Sequence, residues 1–167
     1  FGAELGLSQL LAHGVWDFNR RQIDISELQL YWQGLFLDGL LSLNFAQPSS
    51  LIDLNLQFQH SGNIPHLAVF LPDKVISSKL KSWLTSAITQ TSIPNGELRL
   101  KGALTDFPFT DNSGVFSVHA DVRGGHLRYL PDWPSISAIH GQLDVRGPSM
   151  NIHINRANSR QLAIRDV

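Results

Sequence analysis

Seven histidines are the residues in this sequence best suited to metal chemistry. They are His13, His60, His66, His119, His126, His140 and His153. A metal site needs several such ligands converging on one ion at about 2 Å. His119, His140 and His153 fall at the polar positions of alternating segments, beside other polar residues, so we expect them to face solvent. No metal site or cofactor is predicted.

Four aspartates could in principle supply a pair of catalytic carboxyl groups, as in glycosidases. They are Asp106, Asp111, Asp121 and Asp132. Asp106 precedes Phe107-Pro108 and Asp132 precedes Trp133-Pro134, which is typical of aspartates that form turns by accepting nearby backbone hydrogen bonds. The sequence has no cysteine, no nucleophile elbow and no phosphate loop. It therefore predicts a protein that is not an enzyme.

Six aromatic residues could line a carbohydrate platform. They are Trp16, Trp32, Trp83, Trp133, Tyr31 and Tyr129. Such side chains more often anchor a core or stand at a rim with one polar end. We expect Trp83 to pack on a sheet, and Phe107, Phe109 and Trp133 to fix the loops that join strands.

Composition excludes several classes of protein. Apolar residues make up 43% of the 167 residues, which is normal for a folded domain, but only 16% are charged and the net charge is −1. Nucleic-acid binding normally requires a basic patch, so no nucleic-acid partner is predicted. No apolar run approaches the roughly 20 residues that span a bilayer.

Alternation of apolar and polar residues dominates the chain and predicts strands with one apolar face. The apolar sets are Ile52, Leu54, Leu56 and Phe58; Leu98, Leu100 and Leu104; Phe116, Val118, Ala120 and Val122; Ile139, Leu143 and Val145; and Met150, Ile152 and Ile154. Turn signals at short, regular intervals favour a meandering antiparallel sheet. The first fifteen residues are ambiguous between a strand and a helical turn.

One unit of this alternation occurs twice. Gly96 to Gly102 and Gly141 to Gly147 each begin with glycine, alternate apolar and polar residues, and end with a basic residue and glycine. A repeated amphipathic strand predicts an extended sheet built from similar parts.

A single segment departs from the period of two. Near residues 77–88 the apolar residues Leu80, Trp83 and Leu84 step by three and four, which predicts a short amphipathic helix that packs on the sheet. One short helix cannot cover five or more strands, so part of the apolar face is expected to remain uncovered.

Several motifs in this order resemble the YhdP branch of the AsmA-like family, very large Gram-negative envelope proteins related to TamB. They are Leu71-Pro72, Trp83-Leu84, Gly96 to Gly102, Asp106 to Phe109, Trp133-Pro134 and Gly141 to Gly147. The resemblance implies a mainly β fold, a curved antiparallel sheet shaped like a trough or taco shell. The chain would be a fragment of a longer repetitive protein, with strands in 1–70, a helix insertion in 71–94 and strands in 95–167.

The resemblance also implies a function and a location. Members are thought to carry phospholipid acyl chains along an apolar trough between the inner and outer membranes, without catalysis. The full-length protein would lie in the periplasm and be anchored in the inner membrane by a segment absent from this chain, with other envelope proteins as possible partners.

The predicted lining of the trough is the apolar set of the alternating strands. It consists of Leu54, Leu56, Phe58, Leu98, Leu100, Leu104, Phe116, Val118, Val122, Leu143, Val145, Ile152 and Ile154. The alternative is a closed β-sandwich, an envelope module that binds carbohydrate or protein. The two hypotheses differ in whether the apolar face stays accessible.

Overall fold

The structure, a computed structural model, describes residues 9–32, 34–45, 49–60, 88–107, 109–128, 134–159 and 163–165. These residues form one antiparallel sheet of nine strands in sequence order. The strands are β1 (Gln9–Asp17), β2 (Gln22–Trp32), β3 (Leu35–Asn44), β4 (Leu51–His60), β5 (Ile88–Ala103), β6 (Val115–Leu127), β7 (Ile136–Arg146), β8 (Ser149–Ser159) and β9 (Ala163–Arg165). The predicted mainly β, antiparallel fold is confirmed, and this open sheet is compatible with a trough.

The turn between β1 and β2 shows how local hydrogen bonds fix the meander. Asp17 Oδ1 accepts hydrogen bonds from the backbone N–H groups of Asn19 and Arg20, at 2.9 and 3.0 Å. This Asx-type turn reverses the chain within four residues. At the same end of the sheet, the N–H of Phe45 donates to the carbonyl of Arg21 at 2.8 Å, which joins the end of β3 to this turn.

The two copies of the repeated unit lie on β5 and β7. Both strands are antiparallel to β6, which lies between them, so the two copies run in the same direction. Gly96 is opposite Ala120, whereas Gly141 is opposite Val122. The copies are therefore offset by two residues, an even number that keeps their apolar residues on the same face.

Leu104 is an exception to the predicted alternation. The alternation places it on the apolar face of a strand, but β5 ends at Ala103 and Leu104 begins a 3-10 turn that continues to Asp106. Its side chain is 44% exposed. The pairing of β5 with β4 stops at Ala103, opposite Leu51, and the N–H of Leu104 donates to the carbonyl of Ser50, which precedes β4, at 3.0 Å.

The predicted helix lies mostly outside the described residues. Residues 77–87, including Leu80, Trp83 and Leu84, are not among them, and the last residue of the predicted range, Ile88, begins β5. Most of the predicted insertion at 71–94 is likewise undescribed. The predicted division of the chain into two strand groups around this insertion therefore remains a prediction.

Burial within the described residues is shallow. The buried apolar residues are Leu35, Ile93, Phe109, Ala120 and Ala157. No large side chain of the described residues is fully buried. A sandwich whose two sheets pack face to face would bury the inner side chains of both. The described part of the chain is instead a single layer with small buried clusters.

Candidate functional site

The candidate site is the apolar face of the sheet, which the strand register builds from rows of residues that lie side by side on successive strands. The first apolar row crosses eight strands and consists of Leu10, Leu30, Leu37, Phe58, Gly96, Ala120, Leu143 and Ile152. The second consists of Ala12, Leu28, Gly39, Leu56, Leu98, Val118, Val145 and Met150. Neither row contains a charged or polar side chain.

Two shorter rows extend this face toward the turn between β1 and β2. The third consists of Gly14, Ile25, Leu41, Leu54, Leu100 and Phe116, and the fourth of Trp16, Ile23, Leu43 and Ile52. At about 4.8 Å between neighbouring strands, a row that crosses eight strands is about 34 Å long. That exceeds the roughly 15 Å of hydrocarbon in one leaflet of a bilayer. The face is large enough to contact a whole acyl chain.

The residues predicted to line the trough share this face, apart from Leu104. Ten of them belong to the first three rows: Leu54, Leu56, Phe58, Leu98, Leu100, Phe116, Val118, Leu143, Val145 and Ile152. Val122 and Ile154 lie on the same face, on either side of Gly141. Whether they contact lipid stays a prediction.

The sequence did not indicate the contribution of β1 and the beginning of β2. Leu10 and Ala12 extend the first two rows to the edge strand β1, and Ile23 and Ile25 lie in the fourth and third rows. β2 has one extra residue between Ile25 and Leu28, so its register shifts against both β1 and β3. This β-bulge reverses which positions of β2 face the apolar side, from the even-numbered Leu28 and Leu30 to the odd-numbered Ile23 and Ile25. A pattern with a strict period of two therefore fails there.

No second layer from the described residues covers the apolar face, because they form this one sheet and one three-residue 3-10 turn. Several large side chains on it are exposed: Leu10 at 56%, Trp16 at 53% and Ile152 at 61%. Near the middle, Phe58 and Leu143 pack against the buried pair Ile93 and Ala120. The face is therefore accessible at its ends and better packed at its centre.

A cavity of about 970 Å³ crosses β3 to β7. Five of the predicted lining residues contribute to it: Leu56, Leu98, Phe116, Val118 and Val145. Its lining also includes the charged or titratable residues Asp38, Glu97, Arg99, His119, Asp144 and Arg146. The cavity is therefore not the charge-free channel that the alternation predicts. The candidate site is the open apolar face.

The opposite, polar face carries cross-strand hydrogen bonds that hold the register. Lys101 Nζ donates to Asp53 Oδ2 at 2.8 Å, and an Arg99 guanidinium nitrogen donates to Asn55 Oδ1 at 2.7 Å. The hydrogen bond from Lys101 lowers the pKa of Asp53 below its ordinary value. These pairs lie one residue away from Leu54, Leu98 and Leu100, so they align the apolar rows from the other side.

His119 interacts with two carboxylates on the polar face. Its Nδ1 lies 2.8 Å from Asp144 Oδ1, and its Nε2 lies 4.0 Å from Asp121 Oδ1. The hydrogen bond with Asp144 raises the pKa of His119 above its ordinary value of 6.5. Among the described residues, no group of three potential ligands is placed to hold a metal ion. His119 and Asp144 face each other on the neighbouring strands β6 and β7, so their interaction joins these strands.

This pair predicts a pH dependence of stability. The pKa of His119 is higher in the folded chain than in the unfolded chain. Its interaction with Asp144 therefore stabilises the fold fully below about pH 6.5, and this stabilisation is lost as the pH rises through the folded pKa. We expect the free energy of unfolding to fall modestly between about pH 6 and about pH 8, since both side chains are 38% exposed and solvent screens them.

Urea unfolding at about pH 6 and at about pH 8 measures how much the His119–Asp144 pair stabilises the fold. His119→Gln and Asp144→Asn should each make the free energy of unfolding fall less between these two pH values. An unchanged slope in both variants would show that another group is responsible. Asp24 and Asp53 do not affect this test. Their pKa values are lowered in the folded chain, so the stability they contribute is lost only as the pH falls into the acid range, below about pH 6.

The aromatic residues considered for a carbohydrate platform do not come together among the described residues. Trp16 and Tyr31 are exposed, at 53% and 47%, but Trp16 lies on the apolar face and Tyr31 on the polar face. Phe109 is buried against Gly102 and Gly114, and Phe107 contacts it edge-to-face, so both fix the loop after β5 as predicted. Trp83, Tyr129 and Trp133 lie outside the described residues.

No helix in the described parts of the chain is long and apolar enough to cross a membrane.

Comparison with known proteins identifies related sequences. The family model described as YhdP protein matches residues 1–167. A protein of Escherichia coli (strain K12) named intermembrane phospholipid transporter YhdP is 28% identical over 75 residues. The match covers 45% of this chain and 6% of that protein, so the chain spans a small part of its relative. No solved structure matches the chain.

Proposed function

The chain belongs to the YhdP family, and we propose that it forms one section of an apolar track for phospholipid acyl chains between the inner and outer membranes of a Gram-negative envelope. The observation that carries this proposal is the pair of apolar rows crossing eight strands. An apolar face of this length, over which the described residues place no second layer, needs a partner, and the related E. coli protein is named as a phospholipid transporter.

The energetics of lipid transfer agree with such a track. Each methylene moved from an apolar environment into water costs about 0.8 kcal/mol, so exposing two acyl chains costs on the order of 20 kcal/mol. A continuous apolar surface removes much of that barrier. The contacts are non-directional, so no catalytic group is needed and acyl chains of different lengths are accommodated.

The proposal includes a location. The chain would lie in the periplasm, and another part of the full-length protein would anchor it in the inner membrane. Envelope proteins at either end of the track would supply and accept lipid. A closed β-sandwich, the alternative, would require a second layer on the apolar face.

Site-specific photo-crosslinking tests which face meets lipid. p-Benzoylphenylalanine in place of Leu100 or Val118 should form lipid adducts in cells, since both residues lie within the apolar rows. The adjacent residues Arg99 and His119 lie on the polar face and serve as matched controls. We expect about tenfold more lipid adduct at the apolar positions, because a chain in contact with that face gains the burial energy of several methylenes.

Two outcomes would contradict the proposal. Equal labelling on both faces would mean that no defined lipid surface exists. Adducts to protein alone at Leu100 and Val118 would favour the closed module.

A further inference from the structure

The cavity that crosses β3 to β7 opens on the polar face of the sheet. Its lining includes two complete rows of polar-face residues, one position to either side of the second apolar row. The rows are Asp38, Gln57, Glu97, His119 and Asp144, and Leu40, Asn55, Arg99, Ser117 and Arg146. The neighbours of the second apolar row on its own face, Phe58, Leu143, Leu54 and Leu100, do not line the cavity. The cavity is therefore a site apart from the apolar face.

The two rows carry opposite charges, and we name them the acidic row and the basic row. The acidic row holds the carboxylates of Asp38, Glu97 and Asp144, with His119 placed between Glu97 and Asp144 and hydrogen-bonded to Asp144 at 2.8 Å. The basic row holds two arginines and no acid. The rows lie two residues apart, which is about 6.8 Å along a strand. This separation of the two signs favours a ligand that carries both a cationic and an anionic group.

Several polar groups in the cavity are available to such a ligand. Glu97 and Arg146 are exposed and make no side-chain hydrogen bond or ion pair with other described residues. Arg99 donates to Asn55 Oδ1 but is paired with no carboxylate of the described residues. Ser117 lies between the two arginines in the basic row, and its hydroxyl makes no hydrogen bond within the described part of the chain.

The dimensions of the cavity suit a short peptide. Its volume of about 970 Å³ is at the upper end of pockets that hold small ligands. An extended dipeptide is about 7 Å long, which matches the separation of the two rows. Leu40 and Val115 lie within the cavity and are 52% and 44% exposed, so apolar contacts are available to the side chains of a peptide.

We propose that this cavity binds a short zwitterionic peptide, with the terminal carboxylate at Arg99 and Arg146 and the terminal ammonium at Glu97. The site goes beyond the proposed function, because it lies on the opposite face from the acyl-chain track and does not depend on lipid. Guanidinium groups bind carboxylates in a bidentate manner. The Ser117 hydroxyl and the Gln57 amide can donate to or accept from the peptide group between the two ends.

Titration of the full chain with three dipeptides, followed by NMR, tests the two charged contacts separately. The probes are Ala-Ala, N-acetyl-Ala-Ala, which lacks the ammonium, and Ala-Ala-amide, which lacks the carboxylate. We expect Ala-Ala to bind about tenfold more tightly than either blocked peptide, since each block removes a charge-assisted contact. Arg146→Gln should lose most of the preference over Ala-Ala-amide and keep the preference over N-acetyl-Ala-Ala. Glu97→Gln should show the reverse pattern.

Arg123→Gln is the matched control, because Arg123 is an exposed arginine of β6 that does not line the cavity, and it should keep both preferences. Equal binding of the three probes, or no binding of any of them, would overturn the proposal. N-acetyl-Ala-Ala that binds as tightly as Ala-Ala would indicate a site for anions alone. Preferences that survive both Arg146→Gln and Glu97→Gln would place the peptide site outside this cavity.

Discussion

Replacing Leu143 with glutamate is expected to weaken acyl-chain binding by about tenfold to a hundredfold, because the change removes apolar surface and places a carboxylate in the first apolar row. Leu143 lies between Ala120 and Ile152 on the neighbouring strands. A hydrocarbon chain crossing this point would have to desolvate the carboxylate or lose contact with the row. Lipid co-purifying with the chain, counted by native mass spectrometry, measures the effect.

The adjacent residue provides a matched control. Gln142 is exposed on the polar face, where its side-chain nitrogen donates to Asp121 Oδ1 at 3.2 Å. Gln142→Glu introduces the same carboxylate one residue away and puts it opposite Asp121. It should cost about 0.2–1 kcal/mol of stability through like-charge repulsion and leave lipid binding unchanged. If Gln142→Glu weakened lipid binding more than Leu143→Glu, the assignment of the faces would be wrong.

The sequence was sufficient to predict which face of most strands is apolar. In β4, β6, β7 and β8 the observed register places the predicted apolar residues on one side, because a period of two survives wherever the strand is regular. It could not predict how the strands align with one another. In the sheet, Leu98 lies beside Leu56 and Val118. This alignment depends on the lengths of the connections and on bulges, and neither leaves a periodic pattern in the sequence.

The residues that the sequence missed lie where the backbone departs from a regular strand. One extra residue in β2, between Ile25 and Leu28, reverses the alternation there, and β5 ends at Ala103, just before Leu104. Phe18 follows the end of β1, so its place beside Trp16 and Phe45 follows only from the turn geometry. The stacking of Trp16 with Phe18 and Phe45 was therefore not predictable from spacing alone.

Gly96 supports a second prediction of large effect, on stability rather than on lipid. Gly96 is buried and lies opposite Phe58, and a Cβ at this position would overlap the Phe58 ring. The ring occupies the space that a side chain at Gly96 would need. Gly96→Val should therefore lower the free energy of unfolding by about 1–3 kcal/mol, the usual cost of overpacking. Urea denaturation measures it directly.

A double-mutant cycle separates this steric effect from strand propensity. Phe58→Ala alone should destabilise the chain, because Phe58 packs against the buried pair Ile93 and Ala120. In that background Gly96→Val should be neutral or stabilising, since the space is vacant and valine favours strands. The coupling between the two substitutions should then be about 1–3 kcal/mol and favourable to the double variant. Additive effects would mean that the ring does not lie over Gly96, and the packing at the centre of the first apolar row would have to be revised.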